Sequence, residues 1–332
     1  MLCPYAVEWA HRYARIIELH PGACYLGCGM QMGTFAIVRP PTTGDLELVS
    51  RLSKGFEDAS LGLAVFSPSG LCALAPEELR NTTLLVTSPN QCIEASGDQE
   101  AFLSQVACAR RRILATAAPA ESPGYRGRLR SGIDFDAVFD VGFVSQRERH
   151  GEVSDVPYHF VFNGLIRDEE SVPGEPSHPE ERTIPWVLTG PRSDGNKNLL
   201  AQLFEHEIDR SGLCLLQSRT RSRAGVELLP GSRGLLAVLS KARYYLWSAD
   251  RDVPYYESFR FSEPLLAGTV PCKVDPDLAA EGLDIPGLYA SVAAFQAAVR
   301  EEGYLAMYRR ARDFYVSGGH LAEHLSGALS LV

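Results

Sequence analysis

The sequence predicts an α/β protein of two domains, each a parallel sheet with helices on both faces. Three observations carry this. Short apolar runs alternate with stretches of helical spacing along most of the chain, the pattern of strand–helix–strand crossovers. The alternation breaks once, at residues 167–182, where RDEESVPGEPSHPEER has three prolines, six acids and no apolar period, and then it restarts. The 332 residues also exceed what one hydrophobic core usually holds. The expected organisation is a Rossmann-like domain over residues 1–166, a linker over 167–182, a second Rossmann-like domain over 183–332 that ends in closing helices, and a central cleft between the two.

The elements follow in order. Trp9, Tyr13, Ile16 and Ile17 share one face of a helix over 5–19, which Pro21-Gly22 stops. Residues 23–33 read as a strand and a glycine turn. Strands are expected at 34–39, 61–66, 83–87, 113–116, 138–145 and 158–162, with helices at 46–56, 76–80 and 99–112, and Asn163-Gly164 turns the chain. Beyond the linker, strands are expected at 184–189, 213–217 and 244–247. Leu200, Leu203, Phe204 and Ile208 stripe one helix, residues 235–242 form another, Leu288, Val292, Phe295 and Val299 stripe a third, and 304–315 a last long one.

Composition narrows the function. The formal charge of −9 argues against a general nucleic-acid binder, and no stretch has the length or apolarity of a membrane span. No signal-peptide pattern opens the chain, so a cytoplasmic location is expected. Eight scattered cysteines without a CxxC pair read as reduced thiols rather than a disulfide framework or a metal site. Cys24 and Cys28 are separated by glycine, which favours a strand and turn over a helical ligand pair.

The stretch around which the chain is organised is YYESFRFSEPLLAGTVP, residues 255–271. Its charged and hydroxylic opening, Glu257, Ser258, Arg260, Ser262 and Glu263, reads as the first turns of a helix with free amides nearby. Gly268 permits a tight turn, Thr269 leads into a strand, and Pro271 is expected at an edge or a strand start.

In order of motifs, residues 110–314 resemble the two-domain (GT-B) nucleotide-sugar glycosyltransferases, and within them the α1,3-fucosyltransferase-like group. Residues 113–120 run into Glu121-Ser122-Pro123, as a strand of the family ends in Glu-Ser-Pro. Ser145-Gln146-Arg147-Glu148-Arg149 before Val156-Pro157-Tyr158 mirrors its Ser-Tyr-Arg-Arg-Asp before Val-Pro-Tyr. Trp186-Val187-Leu188-Thr189 and then Lys197 mirror a Trp-Val-Val-Ser strand and a basic helix start. Arg243-Tyr244-Tyr245-Leu246 mirrors Lys-Phe-Tyr-Leu, and residues 266–271 are Leu-Ala-Gly-x-Val-Pro without departure. Where the family has Glu-Asn-Ser this chain has Ala249-Asp250-Arg251, and Thr-Glu-Lys becomes Glu257-Ser258-Phe259-Arg260, shifted by one. The resemblance thus implies fold and class, and leaves the donor sugar, hexose or deoxyhexose, open.

The chemistry that the resemblance implies needs particular groups. A nucleotide-diphosphate sugar, a co-substrate rather than a cofactor, leaves a diphosphate whose charge must be stabilised. Lys197, Arg192, Arg251 and Arg260 are the candidate cations, without a metal. Glu257 or Glu263 is placed to accept the ribose hydroxyls, with Ser258, Gly268 and Thr269 in the same donor-binding stretch. Glu121, at a strand's C-terminal end, is the candidate base for a hydroxyl acceptor in an inverting transfer. Three alternatives stay open: a retaining enzyme using Glu263, an S-adenosylmethionine-dependent methyltransferase using the turn at 27–33, and a catalytically silent interaction protein. His320-Leu321-Ala322-Glu323-His324 fits an inverted zinc-protease helix but reads better as a solvated helix face. Arg110-Arg111-Arg112 reads as a charged helix end.

Overall fold

The computed structural model describes residues 34–40, 46–169, 176, 179–206, 208, 211–217, 233–248 and 253–332. The expected helix over 5–19, the glycine turn at 27–33, Cys24, Cys28 and Arg251 lie outside them. The described residues divide into two compact units, 34–168 with 319–332, and 169–318.

The first unit is a parallel sheet of β1 (Phe35–Val38), β2 (Leu63–Phe66), β3 (Thr83–Val86), β4 (Arg111–Thr116), β5 (Ala137–Gly142) and β6 (Tyr158–Phe162), in the order β2-β1-β3-β4-β5-β6. Its helices are α1 (Leu46–Asp58), α2 (Pro68–Cys72), α3 (Pro76–Leu79), α4 (Pro89–Ser96), α5 (Gln99–Ala107), α6 (Pro123–Leu129) and α7 (Arg147–Gly151). Ala36, Val38, Leu84, Val86, Leu114 and Val138 pack into one core with Leu71, Phe102, Val106 and Tyr125. The residues between them, Ile37, Leu85, Ile113 and Phe139, are equally buried. Strands buried on both faces explain why these runs read as continuously apolar.

The expected helix over 99–112 stops at Ala107, and Arg111 and Arg112 open β4 instead. Asp136 decides this, because its carboxylate accepts from the backbone N–H of Arg112 at 2.8 Å and grips the guanidinium at 3.1 and 3.2 Å. Arg110-Arg111-Arg112 is therefore a strand entry rather than a helix end.

The second unit holds β7 (Ile184–Pro191), β8 (Leu213–Gln217), β9 (Ala242–Ser248), β10 (Val270–Val274) and β11 (Leu288–Tyr289), all parallel, in the order β11-β10-β9-β7-β8. Its helices are α8 (Asp194–Glu205), α9 (Arg233–Leu239), α10 (Phe259–Leu266), α11 (Pro276–Ala280), α12 (Val292–Glu301) and α13 (Gly303–Ser317). In both sheets the second strand lies on one side of the first and the third on the other, the doubly wound, Rossmann-like order. Leu288, expected on a helical stripe, pairs with Lys273 in β11. The helix expected to reach Ala242 ends at Leu239. Pro271 lies inside the sheet, yet the reason it was expected at an edge still holds. The Lys273 amide donates toward β11, to Gly287 O at 2.7 Å, and Pro271 two residues earlier faces the same side beyond the end of that two-residue strand.

The last helix, α14 (Leu321–Ser330), packs on β6 and α1 of the first unit. The Leu165 amide donates to Gly319 O and its carbonyl accepts from the Leu321 amide, and Leu321 and Leu325 are fully buried. Chain order alone groups this helix with the second unit; packing groups it with the first.

Arg182, the final residue of the polar interruption, is buried. Its guanidinium donates to Ala242 O at 2.5 Å, Leu239 O at 3.2 Å, Ala267 O at 2.9 Å and Thr269 Oγ1 at 3.3 Å, and stacks over Tyr304. One side chain thus gathers the end of α9, the start of β9 and the end of α10. Gly268, at φ +78°, lets the chain leave α10 beside that guanidinium, and a Cβ there would collide with Nη2. Gly268→Ala is expected to lose roughly 2 kcal/mol of stability. Arg182→Met should lose on the order of 3 kcal/mol, because several acceptors are left buried without a donor. Urea unfolding of the full chain checks both; an unmoved midpoint for Arg182→Met would show that the guanidinium does not hold this edge.

Candidate functional site

A doubly wound parallel sheet binds ligands beyond the C-terminal ends of the strands where the order reverses. In the second unit that point lies between β7 and β9. After β7 the chain turns into α8, whose first turn is capped by Ser193, Oγ accepting from the Asn196 amide at 3.2 Å. Asn196 is fully buried, and its Oδ1 accepts from both the amide and the hydroxyl of Ser248 at 3.2 Å, tying α8 to the end of β9. Gly190, at φ +141°, leaves room for Arg260 to enter from α10. A Cβ on Gly190 would stand 3.2 Å from Arg260 Nη1 and 3.0 Å from Asn196 Nδ2. The α8 N-terminus, the Asn196 amide and a guanidinium therefore converge at the end of β7, an arrangement that favours an anion.

The other candidate cations stand further out. Lys197 is exposed and bonds Asp194 at 2.8 Å, which holds that carboxyl below its usual range. Arg192 follows β7 and is exposed.

Glu257 is half-buried, and its Oε2 accepts from Trp247 Nε1 at 3.1 Å and Lys273 Nζ at 2.7 Å. Its Oε1 has no partner among the described residues. Lys273 is fully buried at the C-terminal end of β10. Its ammonium also reaches the Tyr255 carbonyl and Asp275 Oδ2, the latter at 3.1 Å, and lies 5.9 Å from the Tyr256 ring centroid. Asp275 in turn caps α11 by accepting from Leu278 N at 3.0 Å. One buried ammonium thus fastens residues 255–257, which lead directly into α10 and Arg260.

Ser258 is fully buried where α10 begins, and Glu263 is half-buried on α10, one turn beyond Arg260. Gly268 and Thr269 lie elsewhere. They precede β10, and Thr269 Oγ1 donates to Leu239 O at 2.5 Å at the N-terminal edge of the sheet. The length of a five-residue strand, roughly 15 Å, separates them from the edge that carries Arg260. The structure brings Arg192, Lys197, Glu257, Ser258 and Arg260 to one edge of the sheet and assigns Gly268 and Thr269 to the anchoring of Arg182.

In the first unit Glu121 follows β4 and immediately precedes Ser122, whose Oγ accepts from Tyr125 N at 3.1 Å to cap α6. Glu121 is half-buried and has no side-chain partner among the described residues. The turn behind it is held by Gln146. Its Oε1 accepts from Ala120 N at 2.8 Å, and its Nε2 donates to Ala118 O at 3.3 Å and Asp140 Oδ2 at 3.2 Å. Tyr158 donates its hydroxyl to Asp140 Oδ2 at 2.5 Å and accepts from Gln146 N at 2.7 Å. Burial pushes the Asp140 carboxyl up to about 7, against the pull of the bonds from Tyr158 and Gln146.

Two of the residues that sequence reasoning missed had a visible signal. Asp140 interrupts Val138-Phe139-Asp140-Val141, and Lys273 interrupts Val270-Pro271-Cys272-Lys273-Val274. An ionisable residue inside a short apolar strand must be buried with partners. Gln146 offered no such mark, because it lies in a polar loop. None of the five described cysteines is in a disulfide. Among the described residues no group of three or more His, Cys, Asp or Glu is placed to hold a metal, and His324 of the HLAEH stretch packs on Phe162.

Lys273→Met is expected to destabilise the chain by about 3–5 kcal/mol, since it strands the carboxylates of Glu257 and Asp275. The double change Lys273→Met/Glu257→Gln should recover part of that loss, and thermal unfolding of both variants measures it. A double variant no more stable than the single one would mean that the two side chains are not energetically coupled.

No protein-family model matches the chain, and no curated protein matches it. Among solved structures it is similar to one described as a crystal structure analysis of the glycotransferase of kitacinnamycin. The two are 14% identical, the match covers 90% of this chain and 98% of that one, and the TM-score is 0.41. Likeness of this degree assigns neither an activity nor a substrate.

Proposed function

We propose that this chain is a glycosyltransferase of the GT-B class, moving a sugar from a nucleotide-diphosphate donor held by the second unit to a hydroxyl acceptor. The observation that carries the reading is the meeting of Arg260, Asn196 and the capped N-terminus of α8 at the strand-order reversal of the second sheet. Beside it, Glu257 keeps one carboxylate oxygen for a ribose hydroxyl while the other is bound by Trp247 and Lys273. The motif resemblance points to the same class and leaves the sugar and the nucleotide base open.

The acceptor oxygen attacks the anomeric carbon as its bond to the diphosphate breaks. Glu121 of the first unit takes the acceptor proton, and attack from the face opposite the leaving group inverts the anomeric centre. The charge growing on the diphosphate is met by the Arg260 guanidinium and the α8 amides, with Lys197 and Arg192 as outer cations, so that protein groups rather than a metal stabilise it.

Thermal-shift titration with nucleoside diphosphates, plain nucleosides and S-adenosylmethionine tests the reading, because a ligand that binds only the native state raises apparent stability. Arg260→Ala should weaken nucleoside-diphosphate binding about 10- to 100-fold, the worth of a charge-assisted contact or two, and leave the plain nucleoside unchanged. Stabilisation by S-adenosylmethionine alone, or equal diphosphate binding by Arg260→Ala, would overturn the donor site. Glu121→Gln should retain donor binding and lose roughly 10² to 10⁴ in turnover, the usual contribution of a positioned base. Unchanged turnover removes Glu121 from the role.

A further inference from the structure

The turn that carries Glu121 is held by a side chain rather than by neighbouring strands. Beyond Thr116 the chain leaves the sheet, and Gln146 meets the turn twice, accepting from Ala120 N at 2.8 Å and donating to Ala118 O at 3.3 Å. Gln146 is itself buried and oriented by a third bond, Nε2 to Asp140 Oδ2 at 3.2 Å. Asp140, 1% exposed, stands in mid-strand where β4 and β6 flank it, and its Oδ1 has no partner among the described residues.

We propose that Asp140 and Gln146 are positioning residues for Glu121, forming a latch on residues 118–121 that holds while Asp140 keeps its proton and opens more readily once that proton has a reason to leave. The inference rests on the reading of Glu121 as the base for its function; the latch itself rests on the contacts of Gln146 and on the burial of Asp140.

The groups around Asp140 explain why a proton controls the latch. Tyr158 faces it from β6 and donates at 2.5 Å. From α6, the Tyr125 hydroxyl is held by His150 Nδ1 of α7 at 2.5 Å, and His150 Nε2 is spent on Val156 O at 2.7 Å. Arg128 of α6 bonds Thr116 Oγ1 at 3.2 Å, opposite Asp140 on β4, and Arg147 of α7 lies over the Tyr158 ring. Among the described residues no cation bonds Asp140. A carboxylate in this place would be a buried charge without a counter-ion, so the closed latch keeps its proton to about pH 7, against an ordinary 3.8 once the turn opens to water. The sign follows from linkage. Between those values the open state releases a proton that the closed state holds, so opening becomes easier as pH rises, and above about pH 7 both states are ionised and the dependence ends.

Hydrogen exchange of the Ala120 amide in the full chain, corrected for intrinsic rate, is the test. In the parent its protection should fall by up to tenfold per pH step between about pH 4 and about pH 7, and then level off. Asp140→Asn keeps an acceptor for Tyr158 and Gln146, so its protection should stay high and lose the slope. Gln146→Leu should lower Ala120 protection about tenfold at every pH while β1 and β3 amides stay protected. The latch is overturned if Asp140→Asn keeps the parental slope, or if Gln146→Leu, folded, protects Ala120 as the parent does. Should Gln146→Leu fail to fold, the comparison of parent with Asp140→Asn decides alone. The measurement does not involve turnover, so a failed latch and a failed base assignment for Glu121 are distinguishable.

Discussion

The second unit depends on the Arg182 guanidinium. Three backbone carbonyls and one threonine hydroxyl, from three different elements, point at one buried cation. These are carbonyls at the ends of α9 and α10 and the start of β9, where helix and sheet hydrogen bonding has run out. A planar donor with five N–H groups satisfies several of them at once, which no apolar or single-point donor does. The Leu-Ala-Gly-Thr-Val-Pro run acquires its physical meaning here. Gly268 bends the chain past the guanidinium, Thr269 shares its acceptors, and Tyr304 closes the site from α13 with its hydroxyl on Gly268 O.

A second buried cation works at the opposite edge of the same sheet. Lys273 binds two carboxylates and a carbonyl, so its charge is more than balanced by Glu257 and Asp275. Burial of such a cluster adds little net stability, and its effect is to specify where residues 255–258 run. Helix α10 spans from one cation to the other and carries Arg260 toward the end of β7. Arg260 is thereby presented on an element fixed at both ends, which is what a site for an anionic ligand requires.

The first unit solves the analogous problem without ion pairs. Behind Glu121 the groups are an amide, a phenol and a carboxyl that burial disposes to stay neutral. Neutral partners avoid the desolvation of an ion pair, and leave the arrangement sensitive to a single proton. The same physics that makes a buried lysine a strut makes a buried lone aspartate a hinge point.

The sequence by itself determined the class of fold. Ile37, Leu85, Ile113 and Val187 sit in short apolar runs because both faces of each sheet are covered, and that signal is local. It also marked Arg260 and Glu121 as chemically apt, the first from its place at a helix start, the second from a strand end that the structure puts at Thr116, five residues earlier. Tertiary structure alone decided the rest. Lys273 and Trp247 claim one oxygen of Glu257, and Gly268 and Thr269 sit at the edge of the sheet away from Arg260. Asp136 turned a helical pattern at Arg111 and Arg112 into strand, and α14 left its sequence neighbours for β6. Each of these depends on a partner tens to hundreds of residues away or on which end of a strand a residue occupies, and local periodicity carries neither.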